Sequence, residues 1–118
     1  MKPGPDPTPD EAARWDDLTA EFLAKPGVTL ERAFSRISLM VGGKLFASAG
    51  HGGLLIKVPA ERVAELIAKG EGQPFSTGGN RVMREWIVVT PQTDWRALAA
   101  ESMAFVAAGP TPRRRTSR

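Results

Sequence analysis

The stretch that decides the fold is ISLMVGGKLFAS, residues 37–48. Apolar and β-branched residues flank Gly42-Gly43, and a two-residue glycine turn between such segments is typical of a tight β-hairpin. A second glycine-rich turn at residues 50–53 leads into the apolar run 54–58. The sequence therefore predicts consecutive antiparallel strands in the middle of the chain.

Further strands are predicted on both sides of this hairpin. Residues 28–34 precede it, a short strand is predicted at 73–76, and the longest runs from 81 to 90. Within the last one, Trp86-Ile87-Val88-Val89 is apolar on both faces, which predicts an interior position in the sheet.

Three helices are predicted around the strands. The first, residues 9–24, has Thr8 as N-cap, Pro9 in its first turn and Glu11 closing a capping box. The second opens at Pro59 and stops at Gly70, and the third runs from about 94 to 108 with Thr93 as its cap. The order α-β(3-4)-α-β(1-2)-α predicts an α+β domain, an antiparallel sheet meander with helices packed on it.

The 118 residues suffice for one domain. Alternating prolines predict that residues 1–8 form a disordered Pro-rich N-terminus. Residues 9–109 are expected to form the folded domain, and 110–118 a disordered basic tail.

The net charge of +3 is unevenly distributed. Residues 1–25 carry −3, residues 26–112 carry nine bases and seven acids, and the last six residues add +4. The basic character therefore belongs to the tail, which disfavours a strongly cationic nucleic-acid-binding domain.

Composition excludes several other classes. There is no cysteine, which removes disulfides, thiolate metal sites and cysteine nucleophiles. The start lacks an apolar signal segment, and the longest apolar run is far shorter than the roughly 20 residues that span a bilayer. We expect a soluble, cytoplasmic protein without a membrane partner.

Candidate chemistry is sparse. His51 has no second ligand or triad partner at a recognisable spacing, and we interpret it as a turn residue. Gly42-Gly43-Lys44 leads into a strand instead of a helix, so it is not a phosphate-binding loop. The three tryptophans fit apolar stripes and are expected in the core. We therefore predict no catalytic residue, no cofactor and no metal site.

Basic residues predicted on the strands give an alternative function. If several of them share one face of the sheet, that face could bind anions or nucleic acid weakly, together with the basic tail. The candidate contacts are Arg36, Lys44, Lys57, Arg81, Arg84, Arg113, Arg114 and Arg115. A further alternative is a small-ligand site or an unrecognised enzyme that uses Lys57, Arg84 and Glu85.

Several segments together resemble one known family, the TfoX/Sxy N-terminal domain, to which the YjbR-like proteins are related. They are RAFSRISLMVGGKLFA at 32–47, GLLIKV at 53–58, QPF at 73–75 and RVMREWIVV at 81–89. The resemblance implies an α+β sheet domain associated with transcriptional regulation of competence, often without an assigned activity. One departure is AFSR at 33–36, where the family has a Met-Phe-Gly-Gly-like element.

The longer competence regulators of this family carry a second, C-terminal domain, and we expect this chain to correspond to the first domain alone. The leading hypothesis is a small non-enzymatic domain that acts through protein interaction as a regulatory module. Its protein partner is unknown from sequence. A homodimer through an unpaired sheet edge or an exposed apolar face is one form that this interaction would take.

Overall fold

The computed structural model describes residues 8–33, 36–50, 52–77 and 81–108. Three helices and six strands follow one another as α1 β1 β2 β3 β4 α2 β5 β6 α3. The helices are α1 (Pro9–Leu23), α2 (Ala60–Ala68) and α3 (Trp95–Ala107); the strands are β1 (Val28–Ala33), β2 (Arg36–Val41), β3 (Lys44–Ala49), β4 (Leu54–Lys57), β5 (Gly72–Thr77) and β6 (Arg81–Val89). The predicted α+β class with an antiparallel sheet is confirmed.

The six strands form one sheet in the order β1-β2-β3-β4-β6-β5, with antiparallel pairing between every pair of neighbours. The predicted meander holds from β1 to β4 and then breaks. β6, not β5, pairs with β4, because the apolar run at 86–89 needs neighbours on both sides. Its predicted interior position is confirmed, and β1 and β5 form the two edges.

The three helices cover the same face of the sheet. One hydrophobic cluster joins Leu18 and Phe22 of α1, Val63 and Leu66 of α2 and the inward stripe of α3 to strand residues such as Leu39, Ile56 and Ile87. α1 packs against β1 and β3, α2 against β5 and β6, and α3 mainly against β3 and β4. We call this covered side the helix face. The other side carries no described helix, although Ser38, Ser48 and Leu55 are buried on it, and we call it the open face.

A β-bulge in β3 lets the hairpin meet α1. Leu39 pairs with Ala47 and Met40 with Leu45, so Phe46 is the additional residue in β3. Phe46 is fully buried, and its ring centroid lies 5.8 Å from that of Phe22. The hairpin turn itself uses Gly42 and Gly43 at φ +58° and +80°, which other residues rarely adopt.

Most predicted helix boundaries are confirmed. Thr8 and Glu11 form the predicted capping box, and Gly70 ends α2 at φ +73°. The prediction of Thr93 as the cap of α3 was wrong. Asp94 caps α3 by accepting from the Ala97 amide, while the Thr93 hydroxyl donates to the Thr90 carbonyl at 2.7 Å.

Some predictions fall on residues outside this description. Disorder at 1–7 and in the tail is among them, as is the turn role of His51. Among the described residues, no helix combines the length and apolar character that a bilayer crossing requires.

Candidate functional site

The candidate site lies at the outer edge of β1, one of the two edge strands of the described sheet. β1 pairs with β2 over six consecutive residues in unbroken register, from Val28↔Val41 to Ala33↔Arg36. Within the described part of the chain, no strand pairs with its other side. An edge of this kind presents backbone donors and acceptors to any strand that approaches.

The hydrogen-bond pattern shows which backbone groups point outward. The Gly42 amide donates to the Gly27 carbonyl at 3.1 Å, so residues 27 and 42 form a hydrogen-bonded pair. In an antiparallel ladder such pairs alternate, so the odd-numbered residues of β1 bond to β2. The outward groups are therefore those of Val28, Leu30 and Arg32. Of their amides, only that of Val28 has a described backbone partner, the Lys25 carbonyl at 3.4 Å.

Apolar side chains are exposed beside this edge. Four large hydrophobic residues are exposed in the described chain, namely Leu23 (41%), Leu30 (40%), Ile37 (47%) and Ile67 (37%). Leu30 pairs with Leu39, and Ile37 lies two residues along, so Leu30 and Ile37 are diagonal neighbours on the helix face. Val28 at the start of the strand is buried, so the helix cover ends between Val28 and Leu30.

We call the outward backbone of residues 28–32, with the side chains of Leu30 and Ile37, the β1 edge patch. Its polar neighbours carry opposite charges. Arg32 pairs with Ile37 on the helix face, and Glu31 lies on the open face, where it accepts from the Thr29 hydroxyl at 3.2 Å. The patch is thus apolar at its centre and electrically neutral at its rim.

The other edge is built differently. The Thr90 amide donates to the Glu71 carbonyl at 3.0 Å, so the same alternation places the backbone nitrogen of Pro74 on the outward side of β5. Proline has no N–H to offer there. Immediately after Pro74 the register with β6 shifts, which interrupts the regular edge. Among the described residues, β1 is therefore the sheet edge with an unbroken register and no proline at an outward position.

Of the basic residues singled out from the sequence and described by the structure, Arg36 lies at one end of the sheet and the other three lie toward the opposite end. Arg36 starts β2, and Lys44 follows the end of that strand, which places them about 17 Å apart along it. Arg36 lies against the backbone of Gly50, where a Cβ would be 3.1 Å from its Cζ atom. Lys57 and Arg84 lie toward the Lys44 end of the sheet, because β4 and β6 run antiparallel.

The side chain of Arg81 and residues 113–115 lie outside the described part of the structure. An anion-binding or nucleic-acid-binding surface that combines these residues with the tail therefore stays a prediction.

The structure brings together two of the three residues of the ligand-site hypothesis. Lys57 Nζ lies 4.0 Å from Glu85 Oε1 and 5.7 Å from the centroid of the Trp86 ring. Both charged side chains are substantially exposed, so the pair is a surface contact of small energetic value. Arg84 is exposed and joins no described ion pair.

A polar groove of about 650 Å³ lies between α2 and α3. Its main cation, Arg62, donates to both carboxylate oxygens of Glu101 at 2.9 Å and to Glu65 at 2.9 Å. These two carboxylates raise the pKa of Arg62 above its ordinary value. Arg62 and Glu101 of this groove thus join α2 to α3. Among the described residues no cluster of three acidic or histidine side chains can hold a metal ion.

Sequence reasoning did not show two features of the helices. Ile67 of α2 is exposed although Val63 and Leu66 of the same helix are buried, and the buried Ser102 of α3 bridges two strands. The Ser102 hydroxyl accepts from the Lys57 amide at 2.9 Å and donates to the Phe46 carbonyl at 2.7 Å, where the β3–β4 ladder ends. Of the tryptophans, Trp95 is buried in the core, Trp15 packs against it, and Trp86 lies on the open face.

Comparison of this chain with family models, with curated proteins and with solved structures found no match.

Proposed function

We propose that this chain is a non-enzymatic protein-interaction domain of the TfoX N-terminal type, and that the β1 edge patch is its working surface. The observation that supports this is the coincidence of outward backbone donors with exposed Leu30 and Ile37 at one edge. The proposal that this interaction is regulatory rests on the sequence resemblance alone.

The chemistry of the patch defines the partner segment. Strand addition satisfies the outward amides and carbonyls of Leu30 and Arg32, which gives affinity through the backbone. Specificity then comes from the alternating side chains. An apolar residue of the added strand would lie beside Leu30, and small or polar residues would lie beside Glu31. The partner is therefore an extended segment with alternating apolar and polar residues.

Site-specific photocrosslinking tests this proposal. A photoreactive residue replaces Ile37, next to the edge, and in a matched control it replaces Ile67, which is similarly exposed on α2. In an extract of the source cells we expect a defined adduct from position 37 and none from position 67. In the background of Arg32→Pro, which removes an outward N–H without touching the ladder to β2, the adduct should disappear. Adducts of equal yield from both positions, or no adduct from position 37 either in the extract or in the purified chain at up to about 1 mM, would overturn the proposal.

A further inference from the structure

We infer that the strand that pairs with the β1 edge patch is β1 of a second copy of this chain. This inference rests on the proposed function and names its partner. The two β1 strands would run antiparallel across a two-fold axis at Leu30 and continue both sheets into one.

The outward hydrogen-bonding groups restrict the registers that two copies can adopt. Only the even-numbered residues of β1 have backbone N–H and C=O groups that point outward. In a paired dimer, an even-numbered residue must therefore lie opposite an even-numbered residue of the other copy. Registers that place an even residue opposite an odd one leave these groups unmatched. The helices of both copies therefore lie on the same side of the joined sheet.

Two registers near the middle of β1 satisfy this rule, one with Leu30 on the two-fold axis and one with Glu31 on it. The charge of Glu31 favours the first. With Glu31 on the axis, two carboxylates face each other in a close pair without hydrogen bonds, which is destabilising. With Leu30 on the axis, Leu30 faces its own copy, Glu31 faces Thr29 of the partner subunit, and Arg32 faces Val28 of the partner subunit. No like charges are then directly opposed.

The Leu30-centred register also joins the two hydrophobic cores. Leu39, which pairs with Leu30, is fully buried in the core of its own chain. A row of four leucines would cross the interface from one core to the other, and the exposed fraction of Leu30 would be covered. The Leu30 amides and carbonyls would form two bonds across the axis, and each Arg32 amide would donate to the carbonyl of Val28 of the partner subunit.

The dimer is expected to be weak and reversible. A contact made by one short strand from each copy is small compared with the roughly 1,200–2,000 Å² buried by stable complexes. We expect a dissociation constant of about 1 μM to 1 mM. Sedimentation equilibrium of the full chain should show a monomer–dimer equilibrium in that range.

Engineered cysteines test the register, because the chain has no cysteine of its own. In Leu30→Cys the two sulfur-bearing residues face each other at about 5.5 Å between Cα atoms, within disulfide reach. We expect Leu30→Cys to form a disulfide dimer under mild oxidation at least about tenfold faster than the exposed control Ile67→Cys. The Glu31-centred register would place residue 30 opposite residue 32, so preferential mixed disulfides between Leu30→Cys and Arg32→Cys chains would overturn the Leu30-centred register.

Leu30→Pro tests the strand pairing itself. It removes an outward N–H and the central apolar side chain but leaves the ladder to β2 intact, as Pro74 does on β5. We expect the dimer dissociation constant to rise at least about 100-fold, with the folded spectrum retained. Should Leu30→Pro fail to fold, Leu30→Lys provides the same test by placing two positive charges on the axis.

The outcomes separate this inference from the proposed function. A chain that stays monomeric up to 1 mM, yet gives a heterologous crosslink from position 37, overturns self-pairing and keeps the interaction surface. A monomer with no crosslink from position 37 overturns both. A dimer that Leu30→Pro and Leu30→Lys leave unchanged places the contact elsewhere and overturns the inference.

Discussion

The two edge strands of the sheet, β1 and β5, differ in how far their unpaired backbone groups are protected from pairing with another strand. β5 carries Pro74 at a position whose N–H would face outward, and its register with β6 shifts at the next residue. β1 has no proline, an unbroken register and an exposed leucine at its centre. Natural sheets protect their edges with proline, bulges or charged side chains. β1 lacks the first two and carries the charged residues Glu31 and Arg32, so its backbone, unlike that of β5, is continuous for pairing.

The difference extends to how each edge is attached to the core. β5 is held close to β6 at Gly72, where a Cβ would lie 2.7 Å from Ile87 Cδ1 and 2.9 Å from the Val88 carbonyl oxygen. The β1 side depends on packing beneath it, through Phe46 in the bulge of β3 and Phe22 of α1. One edge is thus fixed by close backbone approach, and the other is supported by apolar burial.

The largest loss of stability is expected when the buried aromatic ring of Phe46, which packs beneath the β1 side of the sheet, is removed. Phe46→Ala deletes a fully buried ring at the bulge and should lower the free energy of unfolding by about 3–5 kcal/mol. Phe75→Ala, on β5, is the matched comparison, because Phe75 is only half-buried and should cost clearly less. Urea denaturation of both variants measures this difference, and equal losses would show that the two edges depend on their aromatic residues alike.

A smaller loss is expected when the close approach at β5 is obstructed. Gly72→Ala places a methyl group against Ile87 and the backbone of Val88, which should cost about 1–3 kcal/mol through overpacking. Thr29→Ala on β1 changes an exposed side chain and should stay within about 0.5 kcal/mol. Thermal or urea unfolding of Gly72→Ala and Thr29→Ala tests this expectation. A Gly72→Ala variant with an unchanged free energy of unfolding would contradict the tight contact at Gly72.

A loss of about 1–2 kcal/mol is expected when α1, which supports the β1 side, is detached from the loop before α3. Arg14 donates to the Pro91 carbonyl and, at 2.8 Å, to the Thr93 carbonyl, and its Cζ lies 4.2 Å from the centroid of the Trp95 ring. Arg14→Ala removes two hydrogen bonds and a cation–π contact, which together account for that loss.

Arg14→Lys keeps the charge of this contact but not the fork of donors, so it should recover only part of the lost stability. Full recovery by lysine would show that charge alone matters at this position. Denaturation of Arg14→Ala and Arg14→Lys in parallel makes the comparison.

The smallest effect on stability is expected from removing the proline of β5. Pro74→Val restores an outward N–H but increases the conformational entropy of the unfolded chain, which should cost about 0.4–1 kcal/mol. The sedimentation behaviour should stay unchanged, because the register shift after Pro74 still interrupts the edge. New self-association of Pro74→Val would show that proline alone keeps β5 from pairing. The absence of proline, more than the exposed Leu30, would then distinguish β1 from β5.

The sequence alone determined most of the local structure. The capping box at Thr8, the glycine stop at Gly70 and the Gly42-Gly43 turn depend on residues within a few positions of one another, so short-range patterns predict them. The interior placement of β6 also followed from residues 86–89, because a strand that is apolar on both faces must be covered on both.

Only the tertiary structure decided what those elements expose. Leu30 and Leu39 look alike in sequence, and one is fully buried while the other is exposed, because the helix cover ends between Val28 and Leu30. Likewise, the pairing of β6 with β4, and the insertion of Ser102 where the β3–β4 ladder ends, depend on residues far apart in the chain. The candidate site is a property of which edge was left unpaired, and that is fixed by the packing of the whole sheet.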